Sequence, residues 1–281
     1  MKIEAHRKIL LVAILLLLFI PLLTNPASGD DSISEFKLTA IDAAATDQFG
    51  YSVDISGDTA VVGAPSADLA YVFRHEYDDS TGTWGWVQKS ELKAPGASFA
   101  PFFGWSVAID GDTVVVGAFD LIGSSGSAYV FARSGGTWDE GHELIAGHLV
   151  GASVAISDDT VVVGALTPTS SAYVFRYVYD DSMGTWDWVQ EDELKAPGAS
   201  FAPFFGWSVA IDGDTAVVGA PFVGSAYVFT RSDGGTWDEG YQLVTGNWVG
   251  ASVAVSGDTV VVAAPSYNSF PMQPPSGPGS V

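Results

Sequence analysis

The chain of 281 residues has no cysteine, only 11 Lys and Arg against 33 Asp and Glu, three methionines and four histidines. Without a thiol there is no cysteine nucleophile, no thiolate-held zinc or iron–sulfur site, and no disulfide frame. A formal net charge of −22 repels phosphate-bearing partners, because binding to nucleic acid or anionic lipid rests on clustered Lys and Arg that release counterions. Nucleic acid is therefore not an expected partner. Long apolar runs are scarce as well. The run from Ile9 to Leu23, broken at Pro21, is shorter than the roughly 20 residues of a membrane-spanning helix.

That run fits a secretory signal instead. Lys2, Arg7 and Lys8 precede it, and a small polar stretch from Thr24 to Gly29 follows. Cleavage after Gly29 would remove three basic groups and Glu4, moving the net charge from −22 to −24. The expectation is a secreted or cell-surface protein with no membrane insertion once residues 1–29 are removed; an uncleaved anchor is the alternative.

What the sequence has in quantity is glycine, 32 residues, and 47% hydrophobic residues, enough for a core. The glycines mark an internal repeat. Five segments align, each opening on an apolar residue and a glycine: Phe49-Gly50, Phe103-Gly104, Val150-Gly151, Phe205-Gly206 and Val249-Gly250. Residues 91–113 and 193–215 are the same string. Within a unit, Ser-Val-Ala-Ile-Asp alternates, Asp110-Gly111-Asp112 supplies a tight turn, and Thr113 to Ala118 is a β-branched run. Together these predict a hairpin with a fully buried second strand. A third strand follows at Ala70–Phe73, Ala128–Phe131, Ala172–Phe175 and Ala226–Phe229. A fourth starts near Trp84, Trp138, Trp186 or Trp237. Four short antiparallel strands per unit, repeated about every 50 residues, predict an all-β propeller of about five four-stranded blades, the last incomplete. The domain division is a signal peptide at 1–29, a propeller at 30–265 and a disordered Pro-rich tail at 266–281.

The Phe-Gly opening and Gly-Ala-Pro close, as in Phe49-Gly50 to Gly63-Ala64-Pro65, resemble the FG-GAP repeat of integrin α-subunit propellers and of many secreted microbial proteins. The resemblance implies a propeller with ligand loops on one rim. Calcium is implied in the hairpin turns, although each turn here offers at most two carboxylates where Ca²⁺ takes six to eight oxygens. Lys37 to Ala40 aligns with Glu91 to Ala94, which predicts that the chain opens with an outer strand overlapping the fifth blade. A ring left open would expose strand edges, with an oligomer as one outcome.

Repetition also tests for chemistry, since a residue recurring in every blade is spread around an axis and does not converge. Arg74, Arg133, Arg176 and Arg231 recur after the third strand and read as structural. The metal candidates are Asp110, Asp112, Asp212 and Asp214, weighed against a plain Asp-Gly turn. The ligand candidates are Phe99, Phe102, Asp120, Phe201 and Phe204, weighed against inter-blade packing. No catalytic constellation stands out. These readings converge on a non-enzymatic extracellular binding or adhesion module for a protein or glycan, with no certain cofactor. The alternatives are a sialidase-like carbohydrate-active propeller and a truncated paralogue without ligand.

Overall fold

The computed structural model describes residues 35–96, 100–166, 171–198 and 202–265. The leader, the segment 266–281, Phe99 and Phe201 lie outside the described residues. Blade 1 comprises β1 (Ser52–Ser56), β2 (Thr59–Ala64), β3 (Leu69–Asp78) and β4 (Thr83–Leu92), paired in that order. Blade 2 has β5 (Phe103–Asp110), β6 (Thr113–Asp120) and β7 (Ser125–Ser134), with the fourth place shared by β8 (Thr137–Trp138) and β9 (His142–Gly147). Blade 3 is β10 (Val150–Ser157), β11 (Thr160–Ala165), β12 (Ser171–Asp180) and β13 (Thr185–Leu194). Blade 4 is β14 (Ser208–Asp212), β15 (Thr215–Ala220), β16 (Ser225–Thr230) and β17 (Tyr241–Thr245), and blade 5 is the hairpin β18 (Ser252–Ser256) and β19 (Thr259–Ala263). All pairings are antiparallel, so the structure is the all-β propeller that the repeats predict, with two strands of the last blade among the described residues.

The second strand of each complete blade is the core. Every residue of β2 and of β11 is buried. Their alternate side chains face the two neighbours. Val61 packs with Val72 and with Val114, Val116 and Tyr129 of blade 2, while Val62 turns the other way with Tyr71 and Phe73. This is why the run carries β-branched residues at every position and not at every second one. The leading Phe is buried too. Phe103 and Phe205 are fully covered, each meeting the Tyr and Phe of its own third strand at 5.5–6.1 Å. Val150 and Val249 take the same buried place, with less bulk.

Two glycines per unit set how closely blades approach. The carbonyl of each leading glycine from Gly104 onward sits over the closing glycine of the blade before it. A Cβ on Gly63, Gly117, Gly164 or Gly219 would lie 2.0–2.2 Å from the oxygen of Gly104, Gly151, Gly206 or Gly250. That leaves no room for a side chain. The inner strands follow one another as β1, β5, β10, β14 and β18, with no comparable contact returning from β18 or β19 to β1.

Two local expectations are corrected. Residues 37–40 form no strand and do not pair with blade 5. Leu38 and Ala40 instead lie on Val62, Tyr71 and Phe73 of blade 1, as Leu92 and Ala94 lie on blade 2, and Ile41 N–H donates to Gln88 Oε1. The fourth strand is also broken in blades 2 and 4. Trp138 ends a two-residue strand, Trp237 makes one bridge to Arg231, and pairing resumes at His142 and Tyr241. The break falls at Asp139 and Asp238, whose carboxylates accept the backbone N–H groups of Ala132 and Gly141, and of Thr230 and Gly240.

Candidate functional site

Antiparallel pairing sorts the turns onto two rims. The hairpin turns and the ends of the third strands share one rim, and each recurrent arginine there binds its own blade's turn. Arg74 meets Asp58 at 2.9 Å, Arg176 meets Asp159 at 3.0 Å and Arg133 Nε meets Asp112 at 2.6 Å. Arg231 spans Asp214 at 3.5 Å and Glu191 of blade 3 at 2.8 Å. The structural reading of the arginines is thus their observed geometry. The metal candidates lie on this rim with protein donors already in place: Asp110 accepts Asp158 N–H at 2.7 Å and Asp212 accepts Gly257 N–H at 2.6 Å, each across a blade junction. The two carboxylates of one turn therefore serve different partners. No group of three or more His, Asp or Glu side chains among the described residues is arranged to hold a metal ion.

A cavity of about 320 Å³ beside β13 is lined by Asp192, Glu193, Lys195, Phe229 and Asp238. Its acids also have internal partners. Glu193 accepts from the Ser171 hydroxyl and pairs with Lys195, and Asp238 accepts the Thr230 hydroxyl at 2.6 Å. Burial alone would raise both carboxyls, but these hydrogen bonds hold them below the usual range.

The other rim carries the aromatic candidates. In every blade the residue two places before the leading glycine is held in the left-handed region: Gln48 at φ 58°, Phe102 at 60°, Leu149 at 55°, Phe204 at 60° and Trp248 at 59°. Such a conformation costs a side chain about 1–2 kcal/mol. Four of these residues are held by a tight turn, with Tyr51, Trp105, Trp207 and Ala251 N–H donating to the carbonyls of Gln48, Phe102, Phe204 and Trp248. Phe102 N–H also donates to Asp68 Oδ1 at 2.6 Å, tying it to the β2–β3 loop of blade 1.

The result is a pair of ring clusters at equivalent places. In the first, Trp105 lies 4.7 Å from Tyr51, 6.3 Å from Phe102 and 5.3 Å from the buried Phe119. In the second, Phe222 stacks on Phe204 at 4.1 Å and lies 5.9 Å from Trp207 and 5.2 Å from Trp248. Tyr51 and Phe222 are 47% and 48% exposed, and Ile122, in the loop that follows Phe119, is 95% exposed, so the clusters open to solvent. Of the sequence-derived ligand candidates, Phe102 and Phe204 therefore sit on the rim, each partly covered. Asp120 is on the same rim but closes its own loop, accepting Gly123 N–H at 2.7 Å. Tyr51, Trp105, Trp207, Phe222 and Trp248 do not stand out from the sequence alone, although Trp105 and Trp207 follow the leading glycines directly.

The FG-GAP repeat profile matches residues 34–73, 86–131 and 188–229, which takes in three of the five openings described above. The chain is an FG-GAP repeat protein. No curated protein matches it in sequence. Among solved structures this FG-GAP chain is similar to a periplasmic gluconolactonase, PpgL, of Pseudomonas aeruginosa, with 17% identity, TM-score 0.45, and 75% of this chain and 64% of that one covered. It is similar also to a putative 6-phosphogluconolactonase from Bacteroides uniformis, with 12% identity, TM-score 0.47, and 83% and 63% covered. Kluyveromyces lactis Hsv2 matches with 15% identity, TM-score 0.41, and 71% and 62% covered. The chain spans less than two thirds of the length of each of these structures. One expectation is corrected by them: propellers matched here carry lactonase names, so the inference from blade symmetry to a non-enzymatic protein does not hold.

Proposed function

We propose that this FG-GAP protein is a binding and adhesion module acting outside the cell, and that it takes a glycan or protein ligand on the aromatic rim. The observation that carries this reading is the pair of solvent-open ring clusters, Tyr51–Phe102–Trp105–Phe119 and Phe204–Trp207–Phe222–Trp248. Rings held edge and face to solvent give large contact area at low entropic cost and suit either the apolar face of a sugar or an apolar protein segment. The left-handed backbone at Phe102, Phe204 and Trp248 recurs at Gln48 and Leu149, so it belongs to the repeat and serves here only to fix where these rings stand. The leader-like N-terminus and the acidic charge support the extracellular assignment.

The test is a glycan and matrix-protein binding screen of the chain from residue 30, run with calcium and with chelator, for the natural sequence and for Phe222→Ala and Trp207→Ala. Binding that both variants weaken supports the rim. Binding that neither changes, or no binding in either condition, refutes it. Product analysis on the same glycans reads out any turnover directly.

A further inference from the structure

Beyond the arginine rim, the outer hairpins of blades 1 and 3 project. Their third and fourth strands pair past Arg74 and Arg176, from His75 with Trp86 to Asp78 with Thr83, and from Tyr177 with Trp188 to Asp180 with Thr185. Paired residues share a face of a sheet, so His75, Tyr77, Trp84 and Trp86 gather on one side of the first hairpin, and Tyr177, Tyr179, Trp186 and Trp188 on the equivalent side of the second. Trp84 stacks on His75 at 5.3 Å and lies 5.6 Å from Tyr77. Trp186 stacks on Tyr177 at 5.3 Å and lies 5.5 Å from Tyr179. The two tryptophans are nevertheless 53% and 57% exposed.

The other two complete blades show what such a tryptophan meets when the chain covers it. His75, Arg133, Tyr177 and Arg231 hold one equivalent position, each donating its backbone N–H to the carbonyl of its own turn, at Asp58, Asp112, Asp159 and Asp214. Blades 2 and 4 place arginine there and set it beside the tryptophan of their own fourth strand. The Arg133 guanidinium lies over the Trp138 ring at 5.6 Å, and Arg231 and Trp237 share Glu191 as acceptor at 2.8 and 3.1 Å. Blades 1 and 3 place a ring there instead, and residues 75–88 and 177–190 contain no lysine or arginine. The nearest cations are engaged elsewhere: Lys89 with Glu76, Arg74 with Asp58 and Arg176 with Asp159. Carboxylates crowd both tips, at Asp78 and Asp79 and at Asp180, Asp181 and Asp187. Donors from Ser80 and Ser182 hold the Asp78 and Asp180 carboxyls below the usual range, which keeps them charged.

We propose that the two projecting hairpins are equivalent docking sites for a basic segment of another protein, with an arginine guanidinium seated on the open face of Trp84 or Trp186. The contact of Arg133 with Trp138 is the pattern, and the tip carboxylates match the incoming charge. A guanidinium suits the place because it is planar, weakly hydrated and attracted by the electron-rich face of a tryptophan ring. These sites stand on the rim opposite the ring clusters, so the inference is independent of binding there.

The test is fluorescence anisotropy of labelled octa-arginine at physiological salt, which screens long-range attraction. It compares the full-length natural chain with the double variant Trp84→Leu, Trp186→Leu. Leucine keeps apolar bulk and net charge but has no ring face. The double variant is expected to bind at least about fivefold more weakly. Circular dichroism confirms the fold, and Tyr77→Leu with Tyr179→Leu replaces the pair if it does not fold. Equal binding by natural and variant chains overturns the proposal, since charge alone would then account for it, and so does absence of binding to the natural chain. Sedimentation velocity runs alongside. Self-association that the double variant loses would give the hairpins to a second copy, and binding of chitohexaose in place of octa-arginine would give them to a sugar; either result overturns the proposal.

Discussion

Gly117→Ala is the sharpest perturbation of the blade junctions. The new Cβ would stand 2.2 Å from Gly151 O, 3.1 Å from Gly151 C and 2.3 Å from Ser106 Oγ. Backbone is the obstacle on one side, so blade 3 must move away by roughly 1 Å to restore ordinary contact, or Ser106 must leave its acceptor. Loss of the Ser106–Gly151 hydrogen bond costs about 0.5–1.5 kcal/mol. Overpacking a tight junction costs about 1–3 kcal/mol more. The sum is roughly 2–4 kcal/mol, a large part of a domain's usual margin. Two other glycines calibrate it. Gly111 has φ +54° with nothing within 4 Å of an added methyl, so Gly111→Ala should cost only the left-handed penalty of about 1–2 kcal/mol. Gly85, in β4, has neither a close atom nor a positive φ, and Gly85→Ala should be neutral or stabilising by up to about 1 kcal/mol. Urea unfolding followed by tryptophan fluorescence measures all three. If Gly117→Ala costs no more than Gly111→Ala, the blades are not docked through their glycines.

Other outcomes follow from the same geometry. Phe103→Ala, at a fully buried ring, should lower stability by about 3–5 kcal/mol. Phe222→Ala, at a half-exposed one, should leave the urea midpoint nearly unchanged while weakening rim binding, and a matched loss of stability in the two would contradict the division between core and rim. Asp238 is held below its unfolded value by the Thr230 and Gly240 donors against the effect of burial. It therefore adds stability above the ordinary Asp pKa of about 3.9, and that stability is lost as pH falls through its lower folded value. A melting series from neutral to acid pH should show a shallower acid limb for Asp238→Asn. Self-repulsion at a net charge of −22 predicts a melting temperature that rises with added sodium chloride, and a flat response would count against it.

Much of this architecture was legible because the repeats carry it redundantly. The run Thr113 to Ala118 announces a strand buried on both faces, and β6 is that strand. Ala128–Phe131 likewise falls within β7. What hydropathy does not encode is approach distance. Gly63 and Gly117 read as part of a closing triplet, with no hint that a neighbour's carbonyl occupies the place of their side chain. Lys37 to Ala40 matches an outer strand in sequence, yet with no third strand of blade 5 among the described residues to pair with, it packs through Leu38 and Ala40. The breaks after Trp138 and Trp237 were hidden because the capping acids, Asp139 and Asp238, look like ordinary surface charge. At the candidate site, Phe102 and Phe204 were visible as aromatics in repeated loops. Phe222 and Trp248 were not, since each occurs in one blade only and the partners that gather them come from different loops.

Hydrogen–deuterium exchange across the equivalent second strands tests the stacked-blade account most directly. The account predicts that amides of β6, β11 and β15, enclosed between neighbouring blades and paired on both edges, exchange far more slowly than those of β19, which pairs only with β18 among the described residues. Protection of β19 equal to that of β6 would contradict it.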